Sequence, residues 1–398
     1  MRTAKILPLA LLLCQMAPPG AYAESAFSTI YNFARGFPVG FFAEGGIFYG
    51  GFQGPNPAGW GCGDVFELQP PAAAGGAWTQ TVLHSFTETG SDGCDLGLPP
   101  VLGADGALYG TTVAWGAYGF GVVYRLQPPG SPGGEWTETI LYNFCPPGGD
   151  VGYAVSNLIP GRDGSFYLLT SVGRYAYGAL TKLQPPEASG AAWTATVLYS
   201  FPETYLAGNL SQGDGVFYAT TLYYGSDGPG LILQLTPPAA PGGIWTGTTL
   251  YKLAIGQGCT PKDLTLASDG TLYGTTYGTN EFGNGAGTVF SLTPPASPGD
   301  DWTYTMLKDF GPFHPNTPLI VRDGKVYGAV DSTDGGAVFE LTPPSAPGGE
   351  WTTTYLHIFT DFEEPGGTLL MDETGTLYGA TQNYSEQLGG TIYRIATK

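Results

Sequence analysis

The sequence predicts an all-β ring of seven tandem four-stranded units, the last of them completed by the start of the chain. Three observations carry this expectation. A short phrase, "DGTLYGTT" from Asp269 to Thr276, recurs along the 398 residues, as "DGALYGTT" from Asp105 and "TGTLYGAT" from Thr374. Two further phrases follow it in fixed order, with glycine and proline between them. One copy of the final phrase is missing at the C-terminal end and present at the N-terminal end. Four-stranded units with a period of roughly 40 to 50 residues are the sequence sign of a propeller. The expected fold class is therefore a seven-bladed β-propeller.

The first phrase is marked by Tyr49, Tyr109, Tyr167, Tyr218, Tyr273, Tyr327 and Tyr378, at a spacing of about 55 residues. After each comes a second, such as "GDVFELQPP", "GTVFSLTPP" or, last, "GTIYRIATK". The third opens on Trp78, Trp136, Trp193, Trp245, Trp302 and Trp351 as "WTxTxLYxF". Its absent copy is matched by "FSTIYNF", Phe27 to Phe33. Pairing that segment with the C-terminal blade closes the ring.

Each phrase is short, rich in Val, Ile, Thr, Tyr and Phe, and bounded by Gly, Pro or Asp, which is the pattern of strands joined by turns. A further strand precedes each first phrase, for example "DLTLAS" (Asp263 to Ser268) and "TPLIVR" (Thr317 to Arg322). The unit thus reads as strands a to d. The pairs Asp105-Gly106, Asp163-Gly164, Asp214-Gly215, Asp269-Gly270 and Asp323-Gly324 are expected to supply the positive φ angles of two-residue hairpins between a and b. Proline pairs such as Pro294-Pro295 fall after strand c, where no ladder donor is needed. A single core stops growing near roughly 250 to 300 residues, but a ring escapes that limit because each blade packs only on two neighbours.

Residues 1–23 read as a secretory leader: basic Arg2 and Lys5, an apolar run from Ile6 to Leu13, and the small-residue site Ala21-Tyr22-Ala23. The run is shorter than the roughly 20 residues that span a bilayer. A lipoprotein signal at Cys14 fits poorly, with the bulky Leu13 before it. Residues 24–398 are expected to form one propeller domain, secreted to the periplasm or beyond and monomeric, with no membrane span and no anchor after "TIYRIATK".

The formal net charge is −19, from 14 basic and 33 acidic residues. Such a balance excludes nucleic acid, which needs clustered Lys and Arg, and disfavours an anionic membrane surface. With only 12% charged residues and no long acidic run, the acidity reads as solubility. The 64 glycines and 34 prolines fit frequent turns, while 42% hydrophobic residues suffice for a core.

The phrases "DGTLYGTT" and "GTVFSLTPP" resemble the GloVer tandem repeats of bacterial exported proteins, whose repeats look like propeller blades. The resemblance extends over Phe27 to Lys398. It implies an extracellular or periplasmic repeat protein with varied surface anchors elsewhere in the family, no established activity and no functional residues to carry over.

In a blade of this topology, loops a–b and c–d lie on one face and are uniform in sequence, whereas loops b–c and d–a lie on the other and vary. Variable loops on a rigid scaffold are where binding concentrates. They bring Trp60, Trp115, Tyr118, Tyr175, Tyr177, Tyr223, Tyr224, Tyr277, Phe282 and Tyr384 toward one face. These aromatics offer flat apolar area for a sugar or an extracellular protein; equally, they pack on one another to hold long loops still. Asp227, Glu281, Asp331 and Asp334 share the face as ligand contacts, calcium ligands or solvated groups.

Catalytic constellations are thin. His84 and His357 occupy the repeat position held elsewhere by Tyr142, Tyr199 and Tyr251, so they read as substitutions within a strand and not as ligands. His314 stands alone in a d–a loop. A histidine-based metal site, a Ser-His-Asp triad and a cofactor are not expected. Asp64, Asp92, Asp95, Asp150, Glu281 and Asp331 reach the variable face, yet no spacing singles out a glycosidase pair. Cys62 and Cys94 lie in loops of one blade on the same face and are expected to form a disulfide; the pairing of Cys145 and Cys259 stays open. The function expected is a non-enzymatic binding or scaffold module, with a polysaccharide hydrolase or lyase and a structural surface component as alternatives.

Overall fold

In the computed structural model, strands form wherever the repeated phrases run, and they assemble into seven antiparallel sheets. The structure describes residues 26–397 apart from 35, 57–58, 74, 89–90, 132, 148, 150, 172–176, 189–190, 203–205, 207, 214, 223–229, 241, 255, 279–286, 298, 312, 333–334, 347, 361–362 and 383–388. No helix occurs among the described residues.

In order a to d, blade 1 consists of Phe37–Glu44, Ile47–Gln53, Asp64–Gln69 and Thr79–Ser85. Blade 2 consists of Val101–Leu102, Leu108–Thr111, Val122–Gln127 and Thr137–Asn143. Blade 3 is Ile159–Pro160, Phe166–Thr170, Ala179–Gln184 and Thr194–Ser200. Blade 4 is Ser211–Gly213, Val216–Thr220, Leu231–Thr236 and Thr246–Lys252. Blade 5 is Cys259–Leu266, Leu272–Gly278, Thr288–Thr293 and Thr303–Asp309. In blade 6 strand a is split into His314–Pro315 and Ile320–Arg322, followed by Lys325–Ser332, Gly335–Thr342 and Thr352–Phe359. Blade 7 takes Glu364–Met371, Thr376–Gln382 and Thr391–Ala396 from the C-terminal end and Ala26–Asn32 as its outer strand. That last pairing is antiparallel, from Ala26 opposite Ala396 to Asn32 opposite Thr391.

The core is divided among the blade interfaces. Seven hydrophobic clusters each draw on two adjacent blades, and the one built from Phe33, Ile392 and Ala380 against Phe41, Phe48 and Phe66 joins blade 7 to blade 1. Strand c carries most of this burial, as in Val65, Phe66 and Leu68, because both its faces meet a neighbouring blade. Strands a of neighbouring blades touch and line the axis. There the Asn157 amide donates to Asn209 Oδ1 (3.3 Å) and Asn209 Nδ2 donates to Asp263 Oδ1 (2.8 Å).

In five blades a glycine follows the repeat tyrosine, and it has a specific partner. Gly50, Gly110, Gly274, Gly328 and Gly379 lie directly across the ladder from Phe66, Tyr124, Phe290, Phe339 and Tyr393. In each case the ring occupies the place a Cβ would take. Blades 3 and 4 use Leu168 with Thr181 and Ala219 with Leu233 instead. A larger residue on strand b therefore goes with a smaller one on strand c, as close packing requires.

Strand d carries a second repeated device. The register between c and d slips by one residue in every blade, at Leu83, Leu141, Leu198, Leu250, Leu307, Leu356 and Ile30. This bulge lets the leucine and the aromatic three positions later both face inward; Leu83 and Phe86 are both buried. The residue after the bulge meets the next blade at the rim in several blades. Tyr31 donates to Gln80 (2.9 Å), Tyr251 stacks on Tyr304, and His357 stacks on Phe27 with centroids 3.6 Å apart.

The turn expectation needs correction. Of the described aspartates in Asp-Gly pairs, only Asp323 has positive φ (52°), so Asp323-Gly324 alone among them is a two-residue hairpin of that kind. At Gly103 to Gly106 the Gly106 amide donates to the Gly103 carbonyl, and only Gly106 is left-handed. Asp105, Asp163 and Asp269 instead accept from the amides of Ala107, Ser165 and Thr271, two residues on. That is an Asx turn. Tyr109 and Arg125 also bond Asp105, which holds its carboxyl below the usual range despite the opposing cost of burial.

The glycine–aromatic pairing makes a direct prediction. Gly274→Ala forces a methyl against Phe290 and Leu264 and should cost about 1–3 kcal/mol, the usual penalty of overpacking. Adding Phe290→Leu reproduces the Ala219–Leu233 pair, so in urea denaturation the double variant should be more stable than the sum of the two single losses.

Candidate ligand-binding face

Antiparallel order a-b-c-d places every b–c and d–a loop at one end of the ring. Among the described residues the exposed large hydrophobics are Val82, Ile244 and four aromatics. All four, Trp115, Tyr118, Tyr153 and Tyr177, belong to these loops in the adjacent blades 2 and 3, and each is 40–48% exposed.

The loop that presents Trp115 and Tyr118 is tied down by its own backbone. Trp115 adopts φ 62° and its carbonyl accepts the Gly121 amide (2.8 Å), while Asn143 Oδ1 accepts the Ala117 amide (2.8 Å). A non-glycine residue in the left-handed region is uncommon, and here it turns an indole outward to water. Tyr153 is held through its carbonyl, which accepts the Ser171 amide (3.0 Å), next to the Ala154–Thr170 bridge.

Of the sequence-predicted aromatics, Trp115, Tyr118 and Tyr177 thus stand exposed on this face. Trp60 ends a small ladder, Gly59–Trp60 with Pro55–Asn56. Tyr175, Tyr223, Tyr224, Phe282 and Tyr384 lie outside the described residues, as do Asp150, Asp227, Glu281 and Asp334. Tyr153 lies in the d–a loop before Ile159–Pro160, where no repeated phrase marks it in the sequence. Cys62 and Cys94 form a disulfide, and Cys145 and Cys259 are not joined to each other.

Tyr277 belongs to a second, polar group at the same end of blades 5 to 7, and His314 does not stand alone. Their rings stack at 4.1 Å, and His314 Nδ1 donates to the Tyr277 carbonyl (2.8 Å). Lys262 Nζ sits 4.7 Å above the Tyr277 ring. Asn316 donates to Asp331 (2.8 Å). Burial pushes the Asp331 carboxyl up, against the pull of His314 and Lys262; burial and then the Asp331 charge push Glu364 up. The group offers an imidazole, a cation and two reluctant carboxylates beside one another.

These repeats match a known family model over residues 205–398, that of the Gloeobacter/Verrucomicrobia repeat. No curated protein matches the chain. Solved structures match the ring at the level of fold. An ulvan lyase of polysaccharide lyase family PL25 aligns with TM-score 0.62 and 10% identity over 93% of this chain and 95% of the lyase. The polysaccharide lyase Uly1 gives 0.56 and 11%, over 96% and 95%. A puromycin-hydrolyzing peptidase of Mycobacterium tuberculosis gives 0.55 and 14% over 94% of this chain, which spans 51% of that protein.

The two raised carboxylates make a pH prediction. A carboxyl whose pKa is raised on folding costs nothing below its unfolded pKa and costs most once pH has passed the folded value. Glu364→Gln should therefore raise the melting temperature at pH 8 and leave it nearly unchanged at pH 4, as read by scanning fluorimetry at both pH values.

Proposed function

We propose that this protein is an exported, non-enzymatic carbohydrate-binding propeller that holds a neutral polysaccharide across the variable loops of blades 2 and 3. The observation that carries this reading is the confinement of the exposed described aromatics to that one area. Flat aromatic faces with hydroxyl or indole edges suit the apolar faces and hydroxyls of sugar rings. The net charge of −19 favours a neutral glycan, since a strongly anionic polymer would approach against long-range repulsion. Export is supported by the leader at residues 1–23 and by the Cys62–Cys94 disulfide. No helix among the described residues is long and apolar enough to cross a membrane.

A second reading, cleavage of a uronate-containing polysaccharide by elimination, is favoured by the Lys262, Tyr277 and His314 group. Elimination needs a base for the proton next to the carboxylate and a cation to hold that carboxylate, and His314 and Lys262 are suited to those roles. The ulvan lyases with the same fold make this reading worth testing.

On a glycan array the purified protein should bind neutral polysaccharides. Trp115→Ala with Tyr177→Ala should weaken that binding at least tenfold, or about 1.4 kcal/mol, without changing the melting temperature. Release of an unsaturated product that is lost in His314→Ala would replace this reading with the second.

A further inference from the structure

The rim joint between blades 1 and 2 differs chemically from the other described joints. His84 follows the bulge on strand d of blade 1 and faces Glu138 on strand d of blade 2, the positions that Tyr31 and Gln80 hold between blades 7 and 1. His84 Nε2 lies 3.7 Å from Glu138 Oε2 and 3.7 Å from Asp92 Oδ2. All three side chains are largely buried, at 16–20% exposure. Asp92 comes from the d–a loop that the Cys62–Cys94 disulfide fastens two residues later.

The other joints with a described contact at this position are satisfied or apolar. Tyr31 donates to Gln80, Tyr251 exchanges hydrogen bonds with Gln257 while stacking on Tyr304, and the Tyr199 hydroxyl lies over Gly247. His357 lies flat on Phe27, and burial holds its imidazole neutral with a pKa down to about 4. Among the described residues, only at the joint of blades 1 and 2 do three facing groups leave buried atoms without hydrogen-bond partners: His84 Nε2, Asp92 Oδ1 and Glu138 Oε1. Buried polar atoms are rarely left so, and distances of 3.7 Å are too long for hydrogen bonds.

We propose that His84, Asp92 and Glu138 bind one zinc-class divalent cation that clamps blade 1 to blade 2 at the rim. The candidate donor atoms all lie within 4.8 Å of one another. A tetrahedral ion with bonds of about 2.0–2.1 Å needs its ligands roughly 3.4 Å apart, so a small side-chain adjustment closes the site. One imidazole and two carboxylates suit zinc or a neighbouring first-row ion better than calcium or magnesium, which take all-oxygen sets. A cation also relieves the electrostatic cost of the site: burial and then the Asp92 charge push Glu138 up to about 7. A groove of about 880 Å³ between the blades, lined by Glu67, Val82, His84 and Trp136, leads from solvent to His84 and gives the ion a route.

Zinc chloride is titrated into the purified, metal-stripped protein by calorimetry, with magnesium chloride as the comparison. The expected result is one zinc ion per chain and a higher melting temperature, with no response to magnesium. The double variant His84→Tyr with Glu138→Gln copies the Tyr31–Gln80 joint, so it keeps a foldable contact while removing two ligands. Its zinc affinity should fall at least tenfold, whereas His357→Ala, at the same repeat position, should bind as the parent does. Absence of stoichiometric binding to the folded parent, or equal affinity in the double variant, would overturn the proposal.

Discussion

Ring closure is the constraint on which everything else in this molecule depends. A single blade exposes two apolar faces and can bury them only against its neighbours, so the first and last blades would each leave one face in water if the ring stayed open. The segment Ala26–Asn32 prevents this by serving as the outer strand of a sheet otherwise drawn from the C-terminal end. Phe33 and Phe27 then insert aromatic rings into the two interfaces beside it. With all seven interfaces filled, the ring forms a frame on which the b–c and d–a loops vary in sequence.

The repeated phrases are legible in the sequence because each residue in them answers a local requirement. Hydrophobic periodicity locates the strands, and the displaced "FSTIYNF" locates the seam. The turn geometry was harder to read, since Asp-Gly suits both a two-residue hairpin and an Asx turn closed by a left-handed glycine, and of the described pairs only Asp323 takes the first form. The reason for the glycine after the repeat tyrosine in five blades was also hidden. Its partner is an aromatic across the ladder, visible only once the register is known.

What lies between blades was least legible. His84 looked like a strand substitution because Tyr142, Tyr199 and Tyr251 hold the same repeat position, and its position in the strand is as that comparison implies. Its chemistry comes instead from Glu138 in the next blade and Asp92 in a loop. No fixed spacing connects such residues, although comparing Gln80 with Glu138 at one repeat position is the signal that could have exposed them. The same holds for His314, whose neighbours Tyr277, Lys262 and Asp331 arrive from two different blades. A ring fold serves many chemistries, and in this chain the distinctive groups are found where the repeats diverge.

The most direct test of this account removes the seam. A chain beginning at Gly36 lacks the outer strand of blade 7 but retains every other strand, and its thermal unfolding and amide exchange can be compared with the full ring. The account predicts loss of the single cooperative transition and fast exchange across Thr391–Ala396, whose outer pairing partners are gone. An unchanged melting temperature with those amides still protected would contradict it, and would mean that the blades do not depend on closure.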